Sequence, residues 1–285
     1  LSNAAANTYS GSTTVGAGTL SISADHQLGA VPGAATPGQL ALTGGMLLAT
    51  ENFTLAANRG VALQGTGRIA VADTKLLTVA GTVADGAGQG SLAKTGAGTL
   101  VLSVANTYSG STTVDAGTLS IGADNQLGAV PGAATPGQLA LQGGTLLATQ
   151  SFTLAANRGV ALQGTGSIEV ADTKQLLVAG IVADGAGPGR LAKTGAGTLE
   201  LGAANTYSGS TTLSAGTLSI SADNQLGTAP GVATAGQLAI HGGTLLATDS
   251  FTLATNRGVA LQAATTLEVA TGKSLTVASD VVDGA

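Results

Sequence analysis

Residues 92–121 read LAKTGAGTLVLSVANTYSGSTTVDAGTLSI, and the chain returns to the same wording at 191–220 as LAKTGAGTLELGAANTYSGSTTLSAGTLSI. The central string ANTYSGSTT also stands at 6–14, so Tyr9, Tyr108 and Tyr207 are spaced 99 residues apart without slippage. Phe53, Phe152 and Phe251 keep that interval, as do Arg59, Arg158 and Arg257 in NRGVALQ. The chain is nearly three copies of one long unit, 6–104, 105–203 and 204–285, and about four-fifths of positions match between the first two. Similarity at a fixed period marks an array in which each unit buries its apolar face against the next.

A shorter rhythm runs inside each unit. Apolar pairs at alternate positions, Leu20/Ile22, Leu40/Leu42, Val61/Leu63, Leu77/Val79 and Leu100/Leu102, recur roughly every 20 residues, which predicts five turns to a unit. The alternation and the Thr-rich, β-branched composition specify strands with one face in and one out. Between them lie GAG, PGAATPG, QGTG and DGAG, turn chemistry too short to house a crossover helix. An antiparallel sandwich or barrel and a coil of stacked turns both meet these limits. The repeat favours the coil, a parallel β-helix of about 20 residues per turn in which like side chains stack along the axis, because nearly three identical long units do not close naturally into one ring.

Composition narrows the function classes. The 285 residues include 45 glycines, with 44% hydrophobic, 9% charged and 2% aromatic residues. The apolar content is enough to offset the entropy of ordering. A net charge of −5 and the lack of any Lys/Arg cluster argue against nucleic acid and against a direct hold on acidic lipid. Gly, Thr, Ser, Asn or Asp interrupts every apolar run, so no membrane insertion by a helix of this segment is expected. Cysteine is absent, which excludes disulfides and thiolate metal sites. The chain opens on Leu1 and stops at Ala285 within a pattern that earlier copies continue, and is read as part of something longer.

The Lys-x-Gly-x-Gly-Thr-Leu strand, Asn-Thr-Tyr-Ser-Gly turn, Thr-Thr-Val/Leu strand and Ala-Gly-Thr-Leu strand of Leu92–Ile121 and Leu191–Ile220 resemble the passenger-associated transport repeat, also called the autotransporter-associated β-strand repeat. The resemblance covers about a third of each unit. It implies a right-handed, single-stranded parallel β-helix, one segment of a secreted passenger that reaches the cell surface of a Gram-negative bacterium by type V secretion. It further implies a C-terminal translocator β-barrel as partner, in a family of mostly adhesins, aggregation factors and large surface proteins. Turn-by-turn folding fits that route, since a solenoid grows by nearest-neighbour contacts.

Residues that could carry chemistry do not converge. Asp25, Asp124 and Asp223 stand in SAD/GAD turns, where Asp accepts backbone hydrogen bonds. His26 is replaced by Asn125 and Asn224 in the other copies, and His241 by Thr43 and Gln142, so neither a metal set nor a triad assembles. No helix follows the Gly-rich strings, and GGxGxD calcium repeats are missing, leaving only isolated DGAG at Asp85 and Asp184. No catalytic residue, cofactor or metal is expected. The in-register set Asn7, Tyr9, Arg59, Asn106, Tyr108, Arg158, Asn205, Tyr207 and Arg257 is read as a repeated turn ladder or, alternatively, a ligand-facing surface stripe with the arginines as its cationic part. Asn58, Asn157 and Asn256 join it as candidates for left-handed corners.

Three functions follow in order of weight: a rigid stalk and export aid in an adhesin; direct adhesion to a host or bacterial surface, or self-association, through the repeated face; and a polysaccharide-active enzyme, which the fold alone does not exclude.

Overall fold

A computed structural model describes residues 6–262 and 265–284. It divides into two compact units, Leu1–Pro131 and Gly132–Ala285. Each unit is an all-β solenoid of parallel strands, and the helical pieces among the described residues are three 3₁₀ turns, Asp25–Leu28, Asp124–Leu127 and Asp223–Leu226.

The first unit winds through three columns of strands. One column stacks Thr13–Val15, Thr36–Leu42 and the first halves of Arg59–Val71 and Val83–Thr95, with Thr13 against Leu40, Leu40 against Val61 and Val61 against Val83. The next stacks Thr19–Ile22, Met46–Ala49, the second halves of those two long strands and Thr112–Val114, through Leu20, Leu47, Ile69, Lys94 and Val114. The third stacks Phe53–Leu55, Leu76–Val79, Thr99–Leu102 and Thr118–Ile121, through Phe53, Leu77, Leu100 and Leu119. Steps between paired residues range from 19 (Leu100 to Leu119) to 27 (Thr13 to Leu40). The apolar alternation explains the arrangement: Leu77, Leu100 and Leu119 are fully buried, each stabilising the stack by about 1.5–3 kcal/mol.

The repeat does not contain a whole number of turns. Thr13–Val15 lies in the first column, whereas its counterpart 99 residues on, Thr112–Val114, lies in the second; Thr19–Ile22 lies in the second and Thr118–Ile121 in the third. The Thr107 amide donates to the Val83 carbonyl and closes the fourth turn. One repeat therefore spans four and one third turns, about 23 residues each, rather than the five expected from the sequence. Sequence spacing misleads because the five apolar pairs belong to different columns: Leu40 and Val61 to the first, Leu20 to the second, Leu77 and Leu100 to the third.

The second unit has the same construction. Leu139, Val160 and Val182 share one column, Leu146, Ile168, Lys193, Leu213, Ile240, Leu261 and Asp283 a second, and Phe152, Leu176, Leu199, Leu218, Leu245 and Leu267 a third. Thr234–Ile240 again stands one column on from its counterpart Thr135–Leu141. Within each unit, then, the ladders are made of like residues and not of equivalent ones. Inside a unit, a residue and its equivalent 99 positions on stand one column apart.

Candidate functional site

The polar residues singled out by sequence gather at corners, where they tie one rung to the next. Asn106 is almost fully buried. Its Oδ1 accepts from the Val83 amide at 2.8 Å in the rung before, and its Nδ2 donates to the Gln126 carbonyl at 2.6 Å in the rung after. Asn205 repeats this with Val182 and Gln225 at 2.8 and 2.6 Å. Asn7 keeps the second half, donating to the Gln27 carbonyl at 2.7 Å. An amide suits the place because it alone offers an acceptor and a donor at one branch point.

Asp85 holds the same corner from outside. Its Oδ1 accepts from the amides of Gly90 (2.7 Å) and Ser109 (3.0 Å), and its Oδ2 from the Ser109 hydroxyl at 2.7 Å. Asp184 makes the matching set with Gly189 and Ser208. Partial burial pushes both carboxyls upward, yet the hydrogen bonds outweigh it and hold them below the ordinary carboxylate value.

Tyr108 and Tyr207 are fully buried, with their hydroxyls hydrogen-bonded to the Thr112 and Thr211 Oγ1 at 2.6 Å, whereas Tyr9 is 39% exposed. Burial pushes the Tyr207 phenol up to about 12, against the opposing pull of Thr211 and Arg257. Gly128 shows how closely the next rung approaches: at φ +78° it adopts a left-handed conformation, and a Cβ there would strike the Tyr108 carbonyl and ring.

The arginines lie inside, which removes them from any cationic surface stripe. Arg59, Arg158 and Arg257 are fully buried. Arg59 Nε donates to Asp25 Oδ1 at 2.8 Å, Nη1 to the Leu28 carbonyl at 2.8 Å, and Nη2 to Asp25 Oδ2 and the Gly29 carbonyl at 3.3 and 3.1 Å. Arg257 does the same to Asp223, Leu226 and Gly227. The guanidinium fork thus closes the 3₁₀ turn of the preceding rung, a geometry that lysine cannot copy. The left-handed corners belong elsewhere: among described residues, the non-glycine residues with positive φ are Thr74 and Thr173, not the asparagines.

Sequence reasoning missed two buried lysines. Lys94 Nζ donates to the carbonyls of Thr95 (2.8 Å), Gly96 (2.7 Å) and Ala116 (3.1 Å), and Lys193 to those of Thr194, Gly195 and Ala215 at 2.6, 2.7 and 3.1 Å. Burial lowers both to about 8, opposed by the charges of Asp115 and Glu169 respectively. The available signal was position: in Leu-Ala-Lys the lysine stands two residues after an inward leucine.

Each repeat also carries a shallow apolar groove. It is ≈260 Å³ where Thr135, Pro136, Ala156, Gly159 and Ile181 line it, and ≈210 Å³ around Thr36, Pro37, Ala57 and Gly60. Among the described residues, no group of three or more His, Cys, Asp or Glu is placed to hold a metal ion, and no helix is long and apolar enough to cross a membrane.

The passenger-associated-transport-repeat family model matches residues 1–22, 92–121 and 191–220. The chain carries passenger-associated transport repeats. It is also 37% identical over 144 residues to the adhesin BmaC autotransporter of Brucella suis biovar 1 (strain 1330), an alignment covering 50% of this chain and 4% of that protein. No solved structure matches it. The corner bonds cross the boundaries of the matched residues. Lys94, Asn106, Tyr108 and Thr112 lie within the matched residues, while Val83 and Asp85 precede them and Gln126 and Gly128 follow.

Proposed function

We propose that this chain is a structural segment of an adhesin-type autotransporter passenger, acting as a rigid stalk on the bacterial surface and as an aid to export and folding. The observation that carries this reading is the use made of the candidate site residues. Asn106, Asn205, Arg59, Arg257, Lys94 and Lys193 direct their polar atoms into neighbouring rungs or turns, not toward a cleft. A carboxylate pair for polysaccharide cleavage finds no support, since Asp25 and Asp223 are engaged by arginines and Asp85 and Asp184 by turns. A translocator β-barrel elsewhere in the protein would deliver the passenger to the surface. Each rung then adds to the one before, and corner bonds reaching back across a whole turn resist backsliding.

Direct adhesion or self-association is the second reading, favoured by the apolar groove built into each repeat. Deleting residues 105–203 from the full-length protein separates the two. The stalk reading predicts export and adhesion that persist with a shorter reach. Adhesion that falls in proportion to repeat number would overturn it in favour of direct binding.

A further inference from the structure

Asn52-Phe53-Thr54 is an Asn-x-Thr triplet, the acceptor pattern for attaching sugar to an asparagine side chain. Of the ten asparagines in the chain, Asn52 alone has serine or threonine two residues on. It stands at a corner just before the strand Phe53–Leu55, and its Oδ1 accepts from the Leu76 amide of the next rung at 2.7 Å. The other repeats meet that need with a hydroxyl: Ser151 Oγ accepts from the Gln175 amide at 3.0 Å and Ser250 Oγ from the Ser274 amide at 3.1 Å. The fold therefore asks this position for an acceptor only, and the amide nitrogen that asparagine adds makes no bond to a described residue. Elsewhere that nitrogen is used: Asn7, Asn58, Asn106, Asn205 and Asn256 each donate Nδ2 to a carbonyl. Asn52 and Thr54 are exposed, whereas Phe53 is half-buried and Leu55 buried. Strand alternation thus puts the amide and the hydroxyl of the triplet on one outward face.

We infer that Asn52 is a site of N-linked glycosylation, modified by a glycosyltransferase that draws on an activated sugar diphosphate. In that reaction Nδ2 bonds to C1 of the sugar. The bond from C1 to the diphosphate oxygen breaks, its electron pair leaves on oxygen, and Nδ2 gives up one proton to a base of the transferase. Oδ1 is not consumed, so the bond to the Leu76 amide survives and the glycan projects outward from an unchanged rung. Leu76 itself is 42% exposed, and a sugar on Asn52 covers apolar surface at a position where the second and third repeats carry Gln175 and Ser274. The inference stands apart from the choice between stalk and direct adhesion.

The test is peptide mass spectrometry, with electron-transfer fragmentation to localise the modification, on the full-length protein recovered from the bacterium that produces it. A sugar mass on Asn52 is expected; a single sugar marks a nucleotide-linked donor and a preassembled oligosaccharide a lipid-linked one. Asn52→Ser copies the second and third repeats, keeps an acceptor for the Leu76 amide, and should abolish the modification. Thr54→Ala should also abolish it while Thr54→Ser retains it, since the triplet requires a hydroxyl. Unmodified Asn52 in the unsubstituted protein, sugar on serine or threonine hydroxyls alone, or a glycan that stays on Asn52 after Thr54→Ala would overturn the inference.

Discussion

Asp85 and Ser109 are 24 residues apart in the chain, yet both carboxylate oxygens of the first are occupied by the amide and hydroxyl of the second. With Asp184 and Ser208 repeating the pair, the acid response of the solenoid follows. The folded-state values of both aspartates are depressed from 3.8, so their stabilisation is complete above that value and is lost as pH falls through and below it. The Asp85→Asn/Asp184→Asn double variant should be less stable at pH 7 and lose less on going to pH 2.5. Thermal unfolding followed by circular dichroism across that range checks this.

Replacing Asn106 by Ala strips the Val83 amide and the Gln126 carbonyl of their side-chain partner at once. The expected loss is about 2–4 kcal/mol, from two buried backbone groups left unsatisfied. Because solenoid stability is a sum of neighbour terms, the local reading matters most. Hydrogen exchange at the Val83 amide should accelerate well before exchange at the amides of Thr13–Val15, three turns away.

Thr74 and Thr173 hold positive φ values of 61° and 62°, whereas the third repeat places Gly272 at the equivalent corner with φ 76°. A β-branched residue is strained there, and the relief on Thr74→Gly exceeds the added entropy of the unfolded glycine. The substitution should stabilise by on the order of 0.5–1 kcal/mol in denaturant titration. Gly272→Thr should destabilise by a similar amount.

Lys94 and Lys193 respond to pH in the same direction as the aspartates, but in an alkaline window. Their folded-state values lie at about 8 against an ordinary 10.5, so between these limits the unfolded chain binds more protons and stability rises with pH. Tm should climb from pH 8 toward 10, then turn over as the folded state's raised Tyr207 begins to oppose it. The Lys94→Met/Lys193→Met variant should start lower, with carbonyls of both turns left unpaired, and show a flatter profile over the same range.

Much of the fold is legible before any coordinates. Strand character follows from pairs such as Leu100 and Leu102, and stacking follows from the 99-residue period. The number of turns is not legible, because Leu40 and Leu77 look alike in a one-dimensional pattern although they occupy different columns. Corner residues are legible as turn formers, but not their partners: the bond from Asn106 to Gln126 spans 20 residues, a distance set only once the length of the turn is known. Arg59 reads as a candidate surface charge and Lys94 goes unnoticed because burial of a cation requires carbonyls and carboxylates supplied by other rungs.

The four-and-one-third-turn repeat is the claim on which the placement of every equivalent residue rests. Amide-to-amide and amide-to-Hα nuclear Overhauser contacts from Thr112–Val114 test it without perturbing the chain. They should connect this strand to Leu92–Lys94, its partner in the second column. Contacts to Val83–Asp85 instead, in the column occupied by Thr13–Val15, would mean a whole number of turns per repeat and would contradict it.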